Sequence, residues 1–339
     1  QVSEHIFALE LFHGPSLAFK DFGARFMAQC LGVFSRGDKV TILTATSGDT
    51  GAAVALAFHG QPGIEVVVLY PRGKVSPLQE KLFCTLGGNV RTLAVEDDFD
   101  ACQDLVKQSF EDRELVQALG LNSANSINVA RLLAQVCYYF EAVARLPAGT
   151  QPVFAVPSGN FGNVTAGLMA YVIGLPASRV IAATNVNDTV PRYFRSNRWD
   201  PRPTVATLTN AMDISQPNNF PRVLEMERNH GLDLRKLLTS FAIDDSQTRA
   251  AVSALDQAGY LADPHSALAW RALSDRLEGH ETGVFLCTAH PAKFKETIED
   301  TLGREVELPA ALEQVAKRRV LSEVIPADFN ALRDVLMGA

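Results

Sequence analysis

Lys20 has the setting of a lysine that does chemistry. It stands between Phe19 and the pair Asp21-Phe22, behind Leu17-Ala18 and just after the chain break Gly14-Pro15. Ser16 is placed as a helix N-cap and residues 18–30 carry helical periodicity, which predicts Lys20 in the first turn of a buried helix. There the positive end of the helix and partial desolvation both disfavour the ammonium form. A neutral lysine amine is a nucleophile, and the carbonyl such an amine most often traps is that of pyridoxal phosphate. Taken alone, a lysine lying along a phenylalanine and pairing with Asp21 at the surface is the commoner outcome.

Three turns that follow strand-like runs carry the remaining candidates. In residues 157–163, PSGNFGN, Gly159, Asn160, Phe161, Gly162 and Asn163 form a turn whose amides can curl inward ahead of an apolar helix, making an anion cradle. It is neither a Walker A loop nor a dinucleotide fingerprint, since no Gly-Lys-Ser/Thr follows and G-x-G-x-x-G is absent. A Walker-like stretch from Gly32 to Lys39 precedes a strand and is set aside. The second turn, TATSGDTG over 44–51, offers the hydroxyls of Thr46, Ser47 and Thr50 to a carboxylate. Asp49 beside them suits a ring hydroxyl or an ammonium, and a well-capped helix explains the turn equally well. The third, CTAHPAK over 287–293, places Thr288 at a strand end, where its hydroxyl can hydrogen-bond a ring nitrogen. Alone it reads as a strand stopped by a proline turn.

The elements that must position these groups alternate. Strand-like runs at 39–45, 66–70, 89–95 and 121–127 are interleaved with helix-like runs at 52–58, 76–86, 99–109 and 129–146. A second series begins with strands at 152–156 and 180–183 around a helix at 164–175. Helices are expected near 223–227, 232–240, 245–258 and 265–277, a strand at 283–288 and short helices in the tail from 308 to 337. The prediction is an α/β protein of two open parallel-sheet domains with helices on both faces. The larger comprises 1–38 and 147–339, and a smaller inserted domain comprises 39–146. Residues 185–222, loop-like and polar, are long enough for a lid over the site.

Composition narrows the class. A net charge of −7 argues against a general nucleic-acid binder. Five cysteines without a C-x-x-C pair read as reduced thiols, so no metal site and a cytoplasmic location are expected. The longest apolar runs, such as 164–175, are too short to span a bilayer, and no signal peptide precedes them, so no membrane partner is expected. The chain starts at Gln1 already heading into a motif, and we expect an N-terminal portion to precede it.

Lys20 and the three turns occur within LELFHGPSLAFKDFGARFMAQ, TILTATSGDTGAA, YPRGKVSPLQEKLF, LNSANSINVARLLAQ, VPSGNFGN, ATNVNDTVPR and CTAHPAKF. Together these stretches resemble the bacterial and fungal-type branch of the threonine synthases, fold-type-II pyridoxal-phosphate enzymes of tryptophan synthase β-like fold. The resemblance runs from about Ala8 to the C-terminus, and family members carry a further domain before the Lys20 segment. It implies pyridoxal 5'-phosphate as cofactor, with Lys20 as the Schiff-base lysine. Residues Gly159 to Asn163 would hold the cofactor phosphate and Thr288 would face the pyridine nitrogen. Ser47, Asp49 and Thr50, with Thr46, would meet the substrate carboxylate and the ring oxygen. Asn125, Ser126 and Arg131 would anchor the substrate phosphate, a task for which a guanidinium fork and neutral donors are suited.

The implied reaction converts O-phospho-L-homoserine and water to L-threonine and phosphate. Lys20, displaced by the substrate amine, becomes the base for the α-proton. A serine/threonine dehydratase or a β-replacing enzyme on the same scaffold is the alternative, and a non-catalytic cofactor-binding homologue is a third reading. The sequence leaves the oligomeric state open, and His265 in DPHSALAW is read as starting a helix.

Overall fold

The computed structural model describes residues 1–34, 39–126 and 128–338. The turn expected around Gly37 and Asp38 lies outside them. In chain order the strands are β1 (Ile6–Glu10), β2 (Val40–Ala45), β3 (Ile64–Pro71), β4 (Val90–Val95), β5 (Leu121–Ser123), β6 (Val153–Pro157), β7 (Arg179–Thr184), β8 (Leu238–Ala242), β9 (Gly283–Cys287) and β10 (Glu323–Ile325). They form two sheets, β1-β9-β6-β7-β8 and β10-β4-β3-β2-β5, in which every pairing is parallel. Near-continuous apolar strands such as VFAVP and GVFLC, buried throughout, are what a sheet covered on both faces requires.

The chain divides into two compact units. Unit 1 is Gln1–His13 with Leu132–Glu307, and unit 2 is Gly14–Arg131 with Leu308–Ala339. Unit 1 has a core that includes Val153, Ala155, Ile181, Leu268, Leu273 and Phe285. The core of unit 2 includes Leu43, Leu69, Leu93, Leu105, Ile325 and Leu332. These junctions differ from the expected ones, and the packing gives the reasons. The Lys20 helix (Lys20–Phe34) buries Asp21, Ala24, Met27 and Ala28, and its Gly23 lies against the Arg131 carbonyl, so it belongs to unit 2. Residues 138 and 139 of the helix Ala130–Ala144 contact Asn163 in unit 1. The tail returns to unit 2, because β10 pairs with β4 and Arg333 bonds Asp112 and Glu114.

Several local expectations give way. Leu17 adopts a left-handed φ of 54°, residues 18–19 stay outside the helix, and it starts at Lys20 rather than at residue 18. With the helix starting at Lys20, Ser16 stands too far upstream to be its N-cap, and its N–H donates to Asp21 Oδ2 at 2.9 Å. Residues 185–222 are not a bare loop but contain the helix Thr189–Ser196 and a 3-10 turn at Asn210–Met212. The helix expected at 232–240 is a single turn, Leu234–Leu237, leading into β8. Strand β1 and, within the tail, β10 were not expected.

Candidate active site

In unit 1 the chain leaves β6 toward β7 and β8 and returns to β9 on the other side of β6. The strand order therefore reverses between β6 and β9, and open parallel sheets bind ligands outside the strand ends at such a point. The turn after β6 is the Gly159 to Asn163 stretch, and the residue after β9 is Thr288, so these two expectations fall on one sheet edge. Phe161 turns the chain with a φ of 59°, and the helix Gly162–Val172 starts with no side-chain cap. Its first amides are thus the donors that a helix N-terminus leaves over.

Three contacts fix this turn. A Cβ on Gly159 would sit 2.6 Å from the Met212 Cα, so only glycine fits there. The Asn218 N–H donates to Asn160 Oδ1 at 2.6 Å, and Asn219 Nδ2 donates to the Asn160 carbonyl at 3.0 Å. The third is a pair of tyrosines: the Tyr138 and Tyr139 hydroxyls donate to Asn163 Oδ1 at 2.6 and 2.8 Å. With its oxygen so engaged, the Asn163 amide nitrogen is buried without a hydrogen-bond partner. A leftover buried donor beside uncapped helix amides fits a phosphate group. The long segment expected as a lid is here the strap that carries Met212, Asn218 and Asn219.

The Thr288 N–H donates to Ser266 Oγ at 3.1 Å, and Ser266 in turn donates to Asp263. Asp263 caps the helix Pro264–Ser274 by accepting from the His265 N–H, and it also takes His265 Nδ1 at 2.8 Å. His265 therefore starts a helix, as expected, and its Nε2 is buried without a partner. Neither Asp263 nor Ser266 stood out in the sequence, although D-P-x-S, a capping residue followed by proline, is the available signal.

In unit 2 the order reverses between β2 and β5, because the chain leaves β2 toward β3 and β4 and returns to β5. The turn after β2 holds Thr46, Ser47, Asp49 and Thr50, and the turn after β5 holds Asn125 and Ser126. Asn125 joins them: Thr44 Oγ1 donates to its Oδ1 at 3.1 Å, and its Nδ2 donates to the Ala45 carbonyl at 3.0 Å. Thr46 is buried, and its Oγ1 accepts from the Gly48 and Gly51 amides at 2.9 and 2.8 Å. It shapes the turn from inside, whereas Ser47 and Thr50 are partly exposed. Asp49 opens the helix Asp49–Phe58, and Gln79 Nε2 donates to it at 3.2 Å. The buried Gln79 is another residue that sequence reasoning missed.

Lys20 is partly buried, with its Nζ 5.9 Å from the centre of the Phe19 ring. Arg131 is almost fully buried, donates from Nη1 to the Ala124 carbonyl at 2.6 Å, and feels the charge of Asp21. Burial pulls its guanidinium down to about 10, with Asp21 acting the other way. It ties the Asn125 turn to the start of the Lys20 helix.

A parallel sheet whose strand reversal carries an uncapped, glycine-turned helix start fits a pyridoxal-phosphate-dependent enzyme, and the chain belongs to that class. The family model described as pyridoxal-phosphate dependent enzyme matches residues 1–289, and that of the threonine synthase C-terminal region matches 266–336. Threonine synthases of Haemophilus influenzae and Escherichia coli K12 are each 60% identical over 99% of this chain, which covers 80% and 79% of their lengths. The crystal structure of the Escherichia coli threonine synthase superposes with a TM-score of 0.96 over 100% of this chain and 79% of that one. A PLP-bound threonine synthase from Brucella melitensis, 35% identical, gives 0.91 over 100% of this chain and 79% of its own. This chain belongs to the threonine synthase family. A tomato threonine deaminase at 16% identity, with a TM-score of 0.68 over 88% of this chain and 83% of its own, shares the fold alone. Pyridoxal phosphate is the cofactor of the family, and no helix among the described residues is long and apolar enough to cross a membrane.

Proposed function

We propose that this chain converts O-phospho-L-homoserine and water to L-threonine and inorganic phosphate. The observation that carries the reading is that the strand reversal of unit 2 brings together two turns, that after β2 with Ser47 and Thr50 and that after β5 with Asn125 and Ser126, beside the buried Arg131. A dehydratase needs the first for its substrate carboxylate, as any amino-acid substrate does. A phosphorylated substrate calls for the second, with its guanidinium, as well.

When bound, pyridoxal phosphate supplies an electron sink that stabilises the carbanions formed at the substrate's α and β carbons. The Gly159 to Asn163 turn holds its phosphate through the first amides of the helix Gly162–Val172 and the Asn163 amide. Thr288 offers a neutral hydroxyl to the ring nitrogen and so does not force it into the protonated form. Lys20 would hold the cofactor through its carbonyl, and its free amine would serve as the base for the α-proton. Ser47 and Thr50 meet the substrate carboxylate, Asp49 faces the ring oxygen, and Ser126 with Asn125 and Arg131 meets the substrate phosphate. Thr46 supports this group from below. Loss of the β-proton expels phosphate from the γ-carbon, the γ-carbon is reprotonated to a methyl group, water adds at Cβ and a proton returns to Cα, so one water is consumed and one phosphate released. The free, mostly buried cysteines support a reducing cytoplasmic setting.

The test incubates the protein with pyridoxal phosphate and O-phospho-L-homoserine. Threonine and phosphate are expected in equal amounts, and Lys20→Ala is expected to lose both the products and the visible cofactor band. Deamination of serine or threonine with no phosphate released would overturn the assignment, as would turnover retained by Lys20→Ala.

A further inference from the structure

Asp263 is fully buried and caps the helix Pro264–Ser274. Its Oδ1 accepts from the His265 N–H at 2.9 Å and from His265 Nδ1 at 2.8 Å. Its Oδ2 accepts from Ser266, whose side chain is also fully buried. A carboxylate only accepts, so the Ser266 proton must point at Asp263. The Ser266 oxygen is then left with its lone pairs toward the Thr288 N–H, 3.1 Å away. The chain of donors runs one way, from Thr288 through Ser266 to Asp263. The start of the helix Pro264–Ser274 favours the charge at its end.

We propose that Asp263, acting through Ser266, is a positioning residue for Thr288: it fixes the backbone at 288 and hence where the threonine hydroxyl stands toward the cofactor ring. The inference rests on the assignment of Thr288 to the ring nitrogen. Asp263→Asn keeps the shape but turns an amide N–H toward Ser266. The serine proton then swings toward the Thr288 N–H, and the two donors oppose each other. Ser266→Ala removes the acceptor outright.

The experiment titrates pyridoxal phosphate into four variants, Ser266→Ala, Asp263→Asn, Thr288→Val and the double Ser266→Ala/Thr288→Val. It follows the dissociation constant and absorption maximum of the cofactor and the melting temperature without it. Ser266→Ala and Asp263→Asn are each expected to weaken cofactor binding by about five- to tenfold, the effect of one lost buried hydrogen bond. Both should shift the absorption maximum; the buried groups left without a partner also lower the cofactor-free melting temperature, so affinity and spectrum, not melting, decide the case. The double variant should bind no worse than Thr288→Val alone, because the relay has nothing left to position. If Thr288→Val changes binding and spectrum but Ser266→Ala and Asp263→Asn change only the melting temperature, the relay is structural and the proposal fails. If Thr288→Val also leaves both readings unmoved, the assignment of Thr288 fails, and the proposal with it.

Discussion

At position 163 the amide oxygen is held by two tyrosine hydroxyls, so its nitrogen is the group left to meet a ligand. Asn163→Asp separates the two tasks. The carboxylate still accepts from Tyr138 and Tyr139, and a negative charge at the start of a helix is favourable. The cofactor-free protein should therefore melt close to wild type. A phosphate facing that carboxylate is repelled and loses a donor, so the affinity for pyridoxal phosphate should fall at least about tenfold. Melting without cofactor, set beside a spectroscopic titration, checks both halves. Asn163→Ala should instead cost only about 1 kcal/mol of stability, because Tyr139 keeps the Asn163 carbonyl at 2.9 Å and Tyr138 keeps Gln135 Oε1 at 3.3 Å as acceptors. At this scale residue types were legible in the sequence but their partners were not. The turn 157–163 announces itself by its glycines and asparagines, whereas Tyr138 and Tyr139 reach it from a helix distant in sequence. Thr46 shows the converse. Its type suggested a ligand contact, and only the packing shows its oxygen accepting from two backbone amides, with its proton left to donate.

Glycine in mid-helix costs about 1 kcal/mol against alanine, so Gly23 looks like a weak point of the Lys20 helix. The packing reverses that expectation, because a Cβ there would lie 2.3 Å from the Arg131 carbonyl oxygen. Gly23→Ala should destabilise the protein by about 1–3 kcal/mol despite the better propensity, as overpacking does, and chemical denaturation would measure it. The strap between β7 and β8 gives a second expectation at this scale. Asp213 accepts from Asn185 Nδ2 and from the Thr207 hydroxyl at 2.8 and 2.7 Å. Burial raises its carboxyl from the usual 3.8 to about 6, with the hydrogen bonds from Thr207 and Asn185 opposing. The native state thus holds this proton over a range in which the unfolded chain has released it. The stability linked to Asp213 is full below about 3.8 and lost as pH rises through about 6. Relative to Asp213→Asn, which does not titrate, wild type should lose melting temperature between those two values and then level off. A constant difference across that range would contradict it. The alternation of strands and helices was legible because buried parallel strands are apolar runs bounded by turn residues. The short β1, β8 and β10 were not, since three- to five-residue strands at sheet edges carry too little pattern to declare themselves.

On the scale of the whole chain, each unit is assembled from two separate stretches of sequence. Unit 2 is complete only after the chain has built unit 1 and returned: β10 covers the outer edge of β4, and the helix Phe329–Met337 buries Leu332 and Leu336 against the same core as Leu93 and Leu105. Sequence reading took this tail for helices belonging with the larger domain, because a parallel strand of three residues has no local partner to reveal it. Its contribution is large. Ile325, Leu332 and Leu336 are each more than nine-tenths buried. At about 1.5–3 kcal/mol per buried aliphatic side chain they supply roughly 5–9 kcal/mol. That is comparable with the entire stability of an ordinary domain, about 5–15 kcal/mol. A chain ending at Glu307 also loses the ion pairs of Arg333 with Asp112 and Glu114 and exposes the edge of β4. Such a chain should fail to fold unit 2 and should aggregate, whereas Arg333→Ala, which removes only solvent-screened ion pairs, should leave the fold intact. Hydrogen exchange distinguishes the outcomes: the truncated chain should lose amide protection in β2, β3 and β4 while keeping it in β6 and β9. Protection retained in β4 would show that the tail does not complete the sheet.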